Sequence, residues 1–304
     1  MYHIISTREY TKEMFDEILE MAEKLEPIAE GKVSSKILDG KILALLFFEP
    51  STRTRMSFEA AMLRLGGQAL NMGSVEASSI TKGESLSDTI RVVSQYADAV
   101  VLRHPREGAA LMASVCSSSP IINGGDGAGH HPTQTLLDLY TIKRESHLEN
   151  LNIALAGDLK YGRTIHSLCY ALSRYNAKIN LVSPPELRLP DRIIDDLKKR
   201  NIDITITTNM EDVIEDIDVL YMTRIQKERF PDPAEFNRVS NSMRITKELI
   251  QSAKPDMKIM HPLPRVNEIS FDVDDTPHAG YFKQAFYGVP VRMAILCKVL
   301  GVKI

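Results

Sequence analysis

Apolar residues along the chain form short runs, and between them lie segments in which apolar positions recur every three to four residues. The run at residues 41–48 is apolar enough to be a central parallel strand, and residues 11–30 carry apolar side chains at helical spacing. Further strands are predicted at 68–71, 99–102, 120–122, 151–156, 178–182, 202–206, 219–222 and 258–260. Further helices are predicted at 56–65, 86–96, 107–115, 133–145 and 281–299. The pattern therefore alternates strand and helix throughout.

This alternation predicts an α/β fold with two open parallel-sheet domains. Alternating strands and helices imply parallel sheets with right-handed crossovers, and such sheets bind ligands at the carboxyl ends of their strands. We expect one domain at residues 1–132 together with 289–304, and the other at 133–288. Interdomain helices would join them: helix 133–145 would bridge the domains, and helix 281–299 would return to the first.

Composition and charge narrow the class of protein. With 304 residues and 43% hydrophobic content the chain can bury large cores, and a net charge of −3 gives no general attraction to nucleic acid or to an anionic membrane. The three cysteines form no CxxC pair, which favours a reducing cytoplasm over a disulfide framework or a structural zinc site. The amino terminus does not resemble a signal peptide, and the longest apolar run, 42–48, is only strand length. We therefore expect a cytoplasmic protein that acts on a small substrate.

Residues 49–55 follow the first strand and open the next helix, which is a favourable place for an anion. Free backbone N–H groups and the positive end of the helix dipole favour phosphate there. Ser51, Thr52 and Thr54 add hydroxyl donors, and the planar guanidinium of Arg53 can bind two phosphate oxygens. The alternative is a capped helix followed by surface arginines. Three hydroxyls interleaved with two arginines exceed what capping requires.

Two further polar clusters follow strands of the first half. Arg103 comes directly after strand 99–102, where an arginine considered alone is most often a solvated charge. His131 and Gln134 follow a glycine-rich turn at the start of the bridging helix. His131 could donate to an oxygen that gains charge, act as an acid or base, or cap the helix. Because neither cysteines nor metal-ligand spacing accompany it, a metal site is least favoured.

The second half carries its polar clusters at corresponding places. In segment 157–163 Leu159 occupies the middle glycine position of a dinucleotide-binding loop, which disfavours such a cofactor, whereas Arg163 suits a carboxylate. Arg224 and Gln226 alternate after strand 219–222, so an extended backbone would point both toward an acidic substrate. The proline-rich segment 261–265 either presents backbone carbonyls to a ligand amine or forms a rigid turn.

Two signals concern loops rather than strand ends. Residues 81–84 match a capping box for the helix that follows. Asp272, Asp274 and Asp275 could suggest a cation site, but a solvated acidic loop is the favoured interpretation.

Together these segments resemble the aspartate/ornithine carbamoyltransferase family from end to end. The motifs that carry the resemblance are Phe-Glu-Pro-Ser-Thr-Arg-Thr-Arg at 48–55, Arg-His-Pro at 103–105, His-Pro-Thr-Gln at 131–134, Gly-Asp-Leu-Lys-Tyr-Gly-Arg-Thr at 157–164, Thr-Arg-Ile-Gln-Lys-Glu-Arg at 223–229 and His-Pro-Leu-Pro-Arg at 261–265. The resemblance implies transfer of a carbamoyl group from carbamoyl phosphate to the amine of L-aspartate, giving N-carbamoyl-L-aspartate and phosphate in de novo pyrimidine synthesis. It implies no cofactor and no metal.

The resemblance also assigns roles by motif position. The residues expected to bind carbamoyl phosphate are Ser51, Thr52, Arg53, Thr54, Ser78, Lys82, Arg103, His131, Gln134, Pro262 and Leu263. The residues expected to bind aspartate are Lys82, Arg163, Arg224, Gln226 and Leu263. Those expected to be catalytic are Arg53, Thr54, Lys82, Arg103 and His131.

The same resemblance implies an assembly. Ser78 and Lys82 would enter the site of a neighbouring subunit, so a homotrimer with shared active sites would be the minimum active unit. A separate zinc-containing regulatory chain is compatible with the family. Ornithine carbamoyltransferase is the alternative activity, although the Thr-Arg-x-Gln segment and Pro262 favour aspartate. A catalytically silent, scaffolding member of the family is the alternative of another class, but no motif residue is missing.

Overall fold

The computed structural model describes residues 1–73, 82–225, 236, 238, 239 and 243–304. The described chain divides into two compact units. Unit 1 comprises Met1–Tyr140 and Phe286–Ile304, and unit 2 comprises Thr141–Ala285. Each unit is built around its own parallel sheet, which confirms the predicted fold class.

Unit 1 contains a four-stranded sheet flanked by helices. Its elements are α1 (Lys12–Ala29), β1 (Ile42–Phe47), α2 (Thr52–Arg64), β2 (Gln68–Asn71), α3 (Leu86–Val93), β3 (Ala99–His104), α4 (Ala109–Cys116) and β4 (Ile121–Asp126). The strand order is β2-β1-β3-β4, and all three described pairings are parallel. The chain goes to one side of β1 to form β2 and then to its other side to form β3. The order therefore reverses between β1 and β3, which opens a crevice at their carboxyl ends.

Unit 2 contains a five-stranded sheet of the same kind. Its elements are β5 (Asn152–Ala156), α6 (Arg163–Leu172), β6 (Lys178–Val182), α7 (Asp191–Lys199), β7 (Ile204–Thr207), β8 (Val219–Met222) and β9 (Lys258–Met260). The order is β7-β6-β5-β8-β9, again parallel throughout. Here the order reverses between β5 and β8. Both central strands are almost wholly buried, as continuous apolar runs predict.

Two helices carry the chain from one unit into the other. Helix α5 (Pro132–Glu145) begins in unit 1, and α8 (Tyr281–Val299) begins in unit 2 and ends in unit 1. Near its end Lys298 lies 2.6 Å from the carboxylate of Glu17 on α1. The predicted return of the C-terminal helix to the first half is therefore confirmed. No helix in the described part of the chain is both long and apolar enough to cross a membrane.

The start of α3 differs from the prediction. Its N-cap is Ser85, whose hydroxyl accepts from the backbone N–H of Asp88 at 3.1 Å and donates to the Asp88 carboxylate at 2.8 Å. The predicted cap at Thr81 is wrong for this helix, and Thr81 itself lies outside the described residues. Glu84 instead accepts from the Thr89 hydroxyl, one turn into the helix.

Candidate functional site

The phosphate-binding segment forms the first turn of α2. The helix begins at Thr52 rather than at the predicted residue 56, with Ser51 as N-cap, and the Ser51 hydroxyl makes no capping hydrogen bond. Thr52 and Arg53 are exposed, whereas Thr54 is buried. Although the side chain is exposed, partial desolvation by neighbouring protein atoms lowers the pKa of the Arg53 guanidinium, which stays charged at neutral pH. The end of β1 thus brings together three hydroxyls, an arginine and the backbone N–H groups at the start of a helix.

Arg103 lies at the same edge of the sheet, because β3 continues through it and pairs it with Phe47 of β1. Its Nη1 donates to the Gly124 carbonyl at 3.1 Å, and its Nη2 lies 3.4 Å from the Glu49 carboxylate. The side chain is only 16% exposed, so the interpretation of a lone solvated charge is wrong. The site prediction missed Glu49, although it belongs to the same motif as Ser51.

The loop that precedes His131 is organised by a buried carboxylate. Asp126, the last residue of β4, accepts from the His130 N–H at 2.8 Å, the Asn123 side-chain amide at 3.0 Å and the Gly108 N–H at 2.9 Å. Asn123 and Asp126 are both buried. Sequence reasoning missed both residues. The available signal was an amide and a carboxylate at the end of a glycine-rich strand.

His131 and Gln134 stand at the start of α5. His131 is buried, and its Nδ1 lies 3.4 Å from the hydroxyl of Thr133. The Gln134 side-chain amide donates to Asp138 at 2.9 Å, one turn further along the helix. These contacts fix the side chain of Gln134 in unit 1.

Asp138 is also the charge that faces a buried arginine. Arg292 on α8 is 3% exposed, and its guanidinium lies 5.1 Å from the ring centroid of Phe58. Burial lowers the pKa of Arg292 to about 10, and the Asp138 carboxylate opposes that shift. The carboxylate that accepts from Gln134 therefore also interacts with a buried arginine. No local sequence pattern reveals this connection between Gln134, Asp138 and Arg292.

In unit 2 the corresponding edge lies where β5 and β8 end. The backbone of Gly157 has φ +100°, and the Thr223 hydroxyl accepts from the Asp158 N–H at 3.1 Å while donating to the Ala156 carbonyl at 3.1 Å. Thr223 therefore ties together the segments that follow the two strands. Arg163, the first residue of α6, follows Asp158 by five positions, and Arg224 comes directly after Thr223.

Arg163 and Arg224 are partly buried at this edge. Leu159, four residues before Arg163 in the chain, is wholly buried, and its N–H donates to the Leu187 carbonyl. The segment after β5 is therefore anchored through Leu159 to the body of unit 2. Both arginines present permanent positive charge where an open parallel sheet binds ligands.

The proline-rich segment follows β9. Pro262 and Leu263 are partly buried, Leu263 has φ +51°, and the Leu263–Pro264 peptide is cis. Arg265, the end of the motif, donates to both oxygens of Asp274 and lies 4.7 Å from the ring centroid of Phe271. The interpretation of Asp274 as merely solvated is therefore wrong. Hydrogen bonds from Arg265 hold the pKa of Asp274 below its usual value.

The remaining predicted site residues are Lys82, Ser78 and Gln226. Lys82 is exposed, shortly before α3, whereas Ser78 and Gln226 lie outside the described residues. Within the described ranges, no group of three or more His, Cys, Asp or Glu side chains could hold a metal ion.

Known proteins match the chain over nearly its whole length. The model of the aspartate/ornithine carbamoyltransferase carbamoyl-phosphate binding domain matches residues 2–144, and that of the aspartate/ornithine binding domain matches residues 149–299. The aspartate carbamoyltransferase catalytic subunit of Methanococcoides burtonii is 67% identical over 98% of this chain and 97% of its own.

Solved structures give the same result. The catalytic subunit of M. jannaschii aspartate transcarbamoylase superimposes with a TM-score of 0.93 at 57% identity, covering 99% of this chain and 98% of its own. The Trypanosoma cruzi aspartate transcarbamoylase in complex with carbamoyl phosphate and aspartate gives 0.92 at 41% identity, covering 99% and 97%. The chain belongs to the aspartate/ornithine carbamoyltransferase family.

Proposed function

We propose that the chain transfers the carbamoyl group of carbamoyl phosphate to the amine of L-aspartate, giving N-carbamoyl-L-aspartate and phosphate in de novo pyrimidine synthesis. The observation that carries this proposal is the position of the arginines. Arg53 and Arg103 lie where the strand order of the first sheet reverses, and Arg163 and Arg224 lie where that of the second reverses. Relatives named for this activity support the choice of substrates.

In this proposal unit 1 supplies the carbamoyl phosphate site. Ser51, Thr52, Arg53, Thr54 and Arg103 bind the phosphate, and Thr54, Arg103 and His131 also polarise the carbonyl oxygen. Charge-assisted hydrogen bonds to phosphate are stronger than neutral ones, and guanidinium groups bind two oxygens at once. Gln134, which Asp138 holds in place, orients the carbamoyl amide together with the backbone of Pro262 and Leu263.

Unit 2 supplies the aspartate site. Arg163, Arg224 and Gln226 bind the two carboxylates, and the backbone of Leu263 contributes. Two permanently charged guanidinium groups match an amino acid that carries two carboxylates. Ornithine has one carboxylate and a side-chain amine, so it would leave one arginine without a partner.

The predicted domain boundaries at 132/133 and 288/289 stay a prediction.

The reaction then needs no protein nucleophile. The neutral amine of aspartate attacks the carbamoyl carbon, the new N–C bond forms, and the C–O bond to phosphate breaks. The departing phosphate accepts the proton that the amine loses. Donors aimed at the carbonyl oxygen stabilise the charge that develops in the transition state, and each charged hydrogen bond that strengthens there contributes about 1.5–3 kcal/mol.

We further propose a cytoplasmic homotrimer with shared sites. Lys82, and Ser78 with it, would complete the carbamoyl phosphate site of a neighbouring subunit. Lys82 is exposed, as a residue that reaches another chain must be. The name "catalytic subunit" carried by relatives also favours a separate regulatory chain, of the zinc-containing kind that the family resemblance allows.

Parallel assays with the two amino acids test the proposed reaction. The purified chain should form N-carbamoyl-L-aspartate from carbamoyl phosphate and L-aspartate, and it should release one phosphate for each product. Carbamoylation of L-ornithine but not of aspartate would contradict the proposal. Binding of carbamoyl phosphate with no turnover of either acceptor would identify a catalytically silent member of the family.

A further inference from the structure

His261, the first residue after β9, has partners inside unit 2 for its backbone N–H and for both ring nitrogens. It is 1% exposed. Its backbone N–H donates to the Gln284 side-chain carbonyl at 2.7 Å, its Nδ1 accepts from the Leu263 N–H at 2.8 Å, and its Nε2 lies 2.7 Å from Glu268. The ring therefore stands between a buried carboxylate and the backbone of the segment that follows it.

These partners determine which ring nitrogen carries the proton. A backbone N–H can only donate, so Nδ1 must be unprotonated, and Nε2 must carry the hydrogen that points at Glu268. The second carboxylate oxygen of Glu268 accepts from the N–H groups of Val266 and Asn267, each at 3.1 Å. The ring is thus a neutral imidazole with a single tautomer, held by a carboxylate that is itself fixed by the backbone.

The protonation states agree with this geometry. Burial lowers the pKa of His261, although the facing Glu268 opposes the shift, and the positive charges of Arg265 and Arg224 lower it further. Burial alone would raise the pKa of Glu268, but the hydrogen bonds from His261 and from the backbone outweigh it and lower that pKa. A neutral imidazole beside an ionised carboxylate is the state in which the Leu263 N–H keeps its acceptor.

We propose that His261, oriented by Glu268, is the positioning residue for the ligand-binding backbone at Pro262 and Leu263. Leu263 has φ +51°, a conformation that side-chain-bearing residues rarely adopt and that surrounding contacts must stabilise. The described contact to its N–H comes from His261. This inference rests on the proposed function, in which that backbone orients the carbamoyl amide.

Two substitutions of similar size separate the two bonds of the ring. In His261→Asn the side-chain oxygen occupies roughly the place of Nδ1, so it can accept from the Leu263 N–H while the bond to Glu268 is lost. In His261→Gln the amide nitrogen occupies roughly the place of Nε2, so it can donate to Glu268 while the Leu263 N–H loses its acceptor. If His261 were needed only for stability, the two variants should behave alike.

The probes are inorganic phosphate and phosphonoacetamide, a stable analogue that adds an amide to the phosphate mimic. His261→Gln should weaken phosphonoacetamide binding and raise the KM for carbamoyl phosphate by about 10-fold, because a buried donor is left unsatisfied. It should leave phosphate binding unchanged, because Ser51 to Thr54 hold phosphate. His261→Asn should restore most of the affinity for the amide-bearing ligand. Equal phosphonoacetamide affinities in the two variants would overturn the inference.

A measurement on the unsubstituted protein keeps the inference testable if a variant fails to fold. Nitrogen-15 NMR of histidine-labelled protein at neutral pH should show His261 with an unprotonated Nδ1 and a protonated Nε2. A cationic ring, or the opposite tautomer, would contradict it. An assay of the unsubstituted chain tests the proposed function independently of the variants. If that function is wrong, the unsubstituted chain will not carbamoylate aspartate.

Discussion

Arg53 and Arg55 lie two positions apart in the first turns of α2, and both side chains are exposed. Only Arg53 is assigned to the phosphate. Arg53→Ala should lower kcat/KM by about 10- to 100-fold for each charged hydrogen bond that it removes, since such a bond contributes about 1.5–3 kcal/mol. Steady-state kinetics with carbamoyl phosphate as the varied substrate measure the loss.

Arg55→Ala is the matched control for that substitution. It removes the same guanidinium from the same helix, so any general effect on helix stability or net charge should be shared. It should retain kcat/KM within a few-fold of the unsubstituted enzyme. A comparable loss in both variants would mean that the segment responds to positive charge in general and that Arg53 has no individual role.

Asp274 gives stability a defined dependence on pH. Its pKa is lowered in the folded state, so the pairing with Arg265 contributes fully above the unfolded value near 3.9 and is lost as the pH falls through the folded value. Asp274→Asn should therefore lower the Tm at pH 7. The difference in Tm from the unsubstituted chain should shrink as the pH drops below about 4. Thermal scans across that range measure both.

Asp275→Asn is the control, because Asp275 is an exposed neighbour of the same charge. It should change the Tm little at any pH. If Asp274→Asn also left the Tm unchanged at pH 7, the contacts between Asp274 and Arg265 would contribute nothing measurable to stability.

At the scale of elements, all nine predicted strands are present in the structure. Continuous apolar runs bounded by polar segments identify buried parallel strands well, because both faces of such strands are covered. The predicted strand ends were less accurate, because β3 was predicted to end at residue 102 but continues through Arg103 and His104. Its pairing with β1 includes Arg103, a non-local contact that local hydrophobicity does not report.

The helix starts show a second limit of local patterns. The sequence predicted an N-cap for α3 within segment 81–84, but the structure uses Ser85, the next residue along the chain. The same limit separates the site residues that could be predicted from those that could not. Side chains with recognisable local spacing, such as Arg53 and Arg163, could be predicted. Residues that act through distant partners could not, since Asp138 and Arg292 meet only when α5 and α8 pack.

The connection between β5 and β8 can be tested at Gly157. A Cβ added there would lie 2.2 Å from the Thr223 carbonyl oxygen, and φ is +100°. Gly157→Ala should lower the unfolding free energy by more than the roughly 1–3 kcal/mol that such a backbone conformation costs alone. It should also raise the KM for aspartate, because the segments leading to Arg163 and Arg224 must separate.

Gly40→Ala isolates the backbone part of that effect. Gly40 has φ +75°, but a Cβ there would meet nothing within 4 Å. Denaturant unfolding of both variants should show the smaller loss for Gly40→Ala, with an unchanged KM for aspartate. Equal losses in the two variants would show that the contact with Thr223 relaxes at little cost.

At the scale of the whole molecule, shared active sites predict complementation between inactive chains. Lys82→Ala and His131→Ala chains should each be nearly inactive when pure. If Lys82 of one subunit completes the site that contains His131 of another, mixed trimers will contain some sites with both residues. Activity should therefore return in part after the two are dissociated together and reassembled.

The reassembled mixture should elute as three copies of the 34.1-kDa chain. Mixing without dissociation is the control and should restore nothing. A trimer that forms from both chains yet recovers no activity would place Lys82 and His131 in the same subunit's site, or Lys82 outside it.

The interrupted course of unit 1 along the chain has a consequence for biosynthesis. Domains usually fold from the amino terminus as the ribosome makes them. Here Phe286–Ile304, with the buried Arg292, belongs to unit 1 but is translated after the whole of unit 2. Unit 1, which is begun first, therefore cannot be completed until residues 286–304 are made, whereas all residues of unit 2 are available to fold before then.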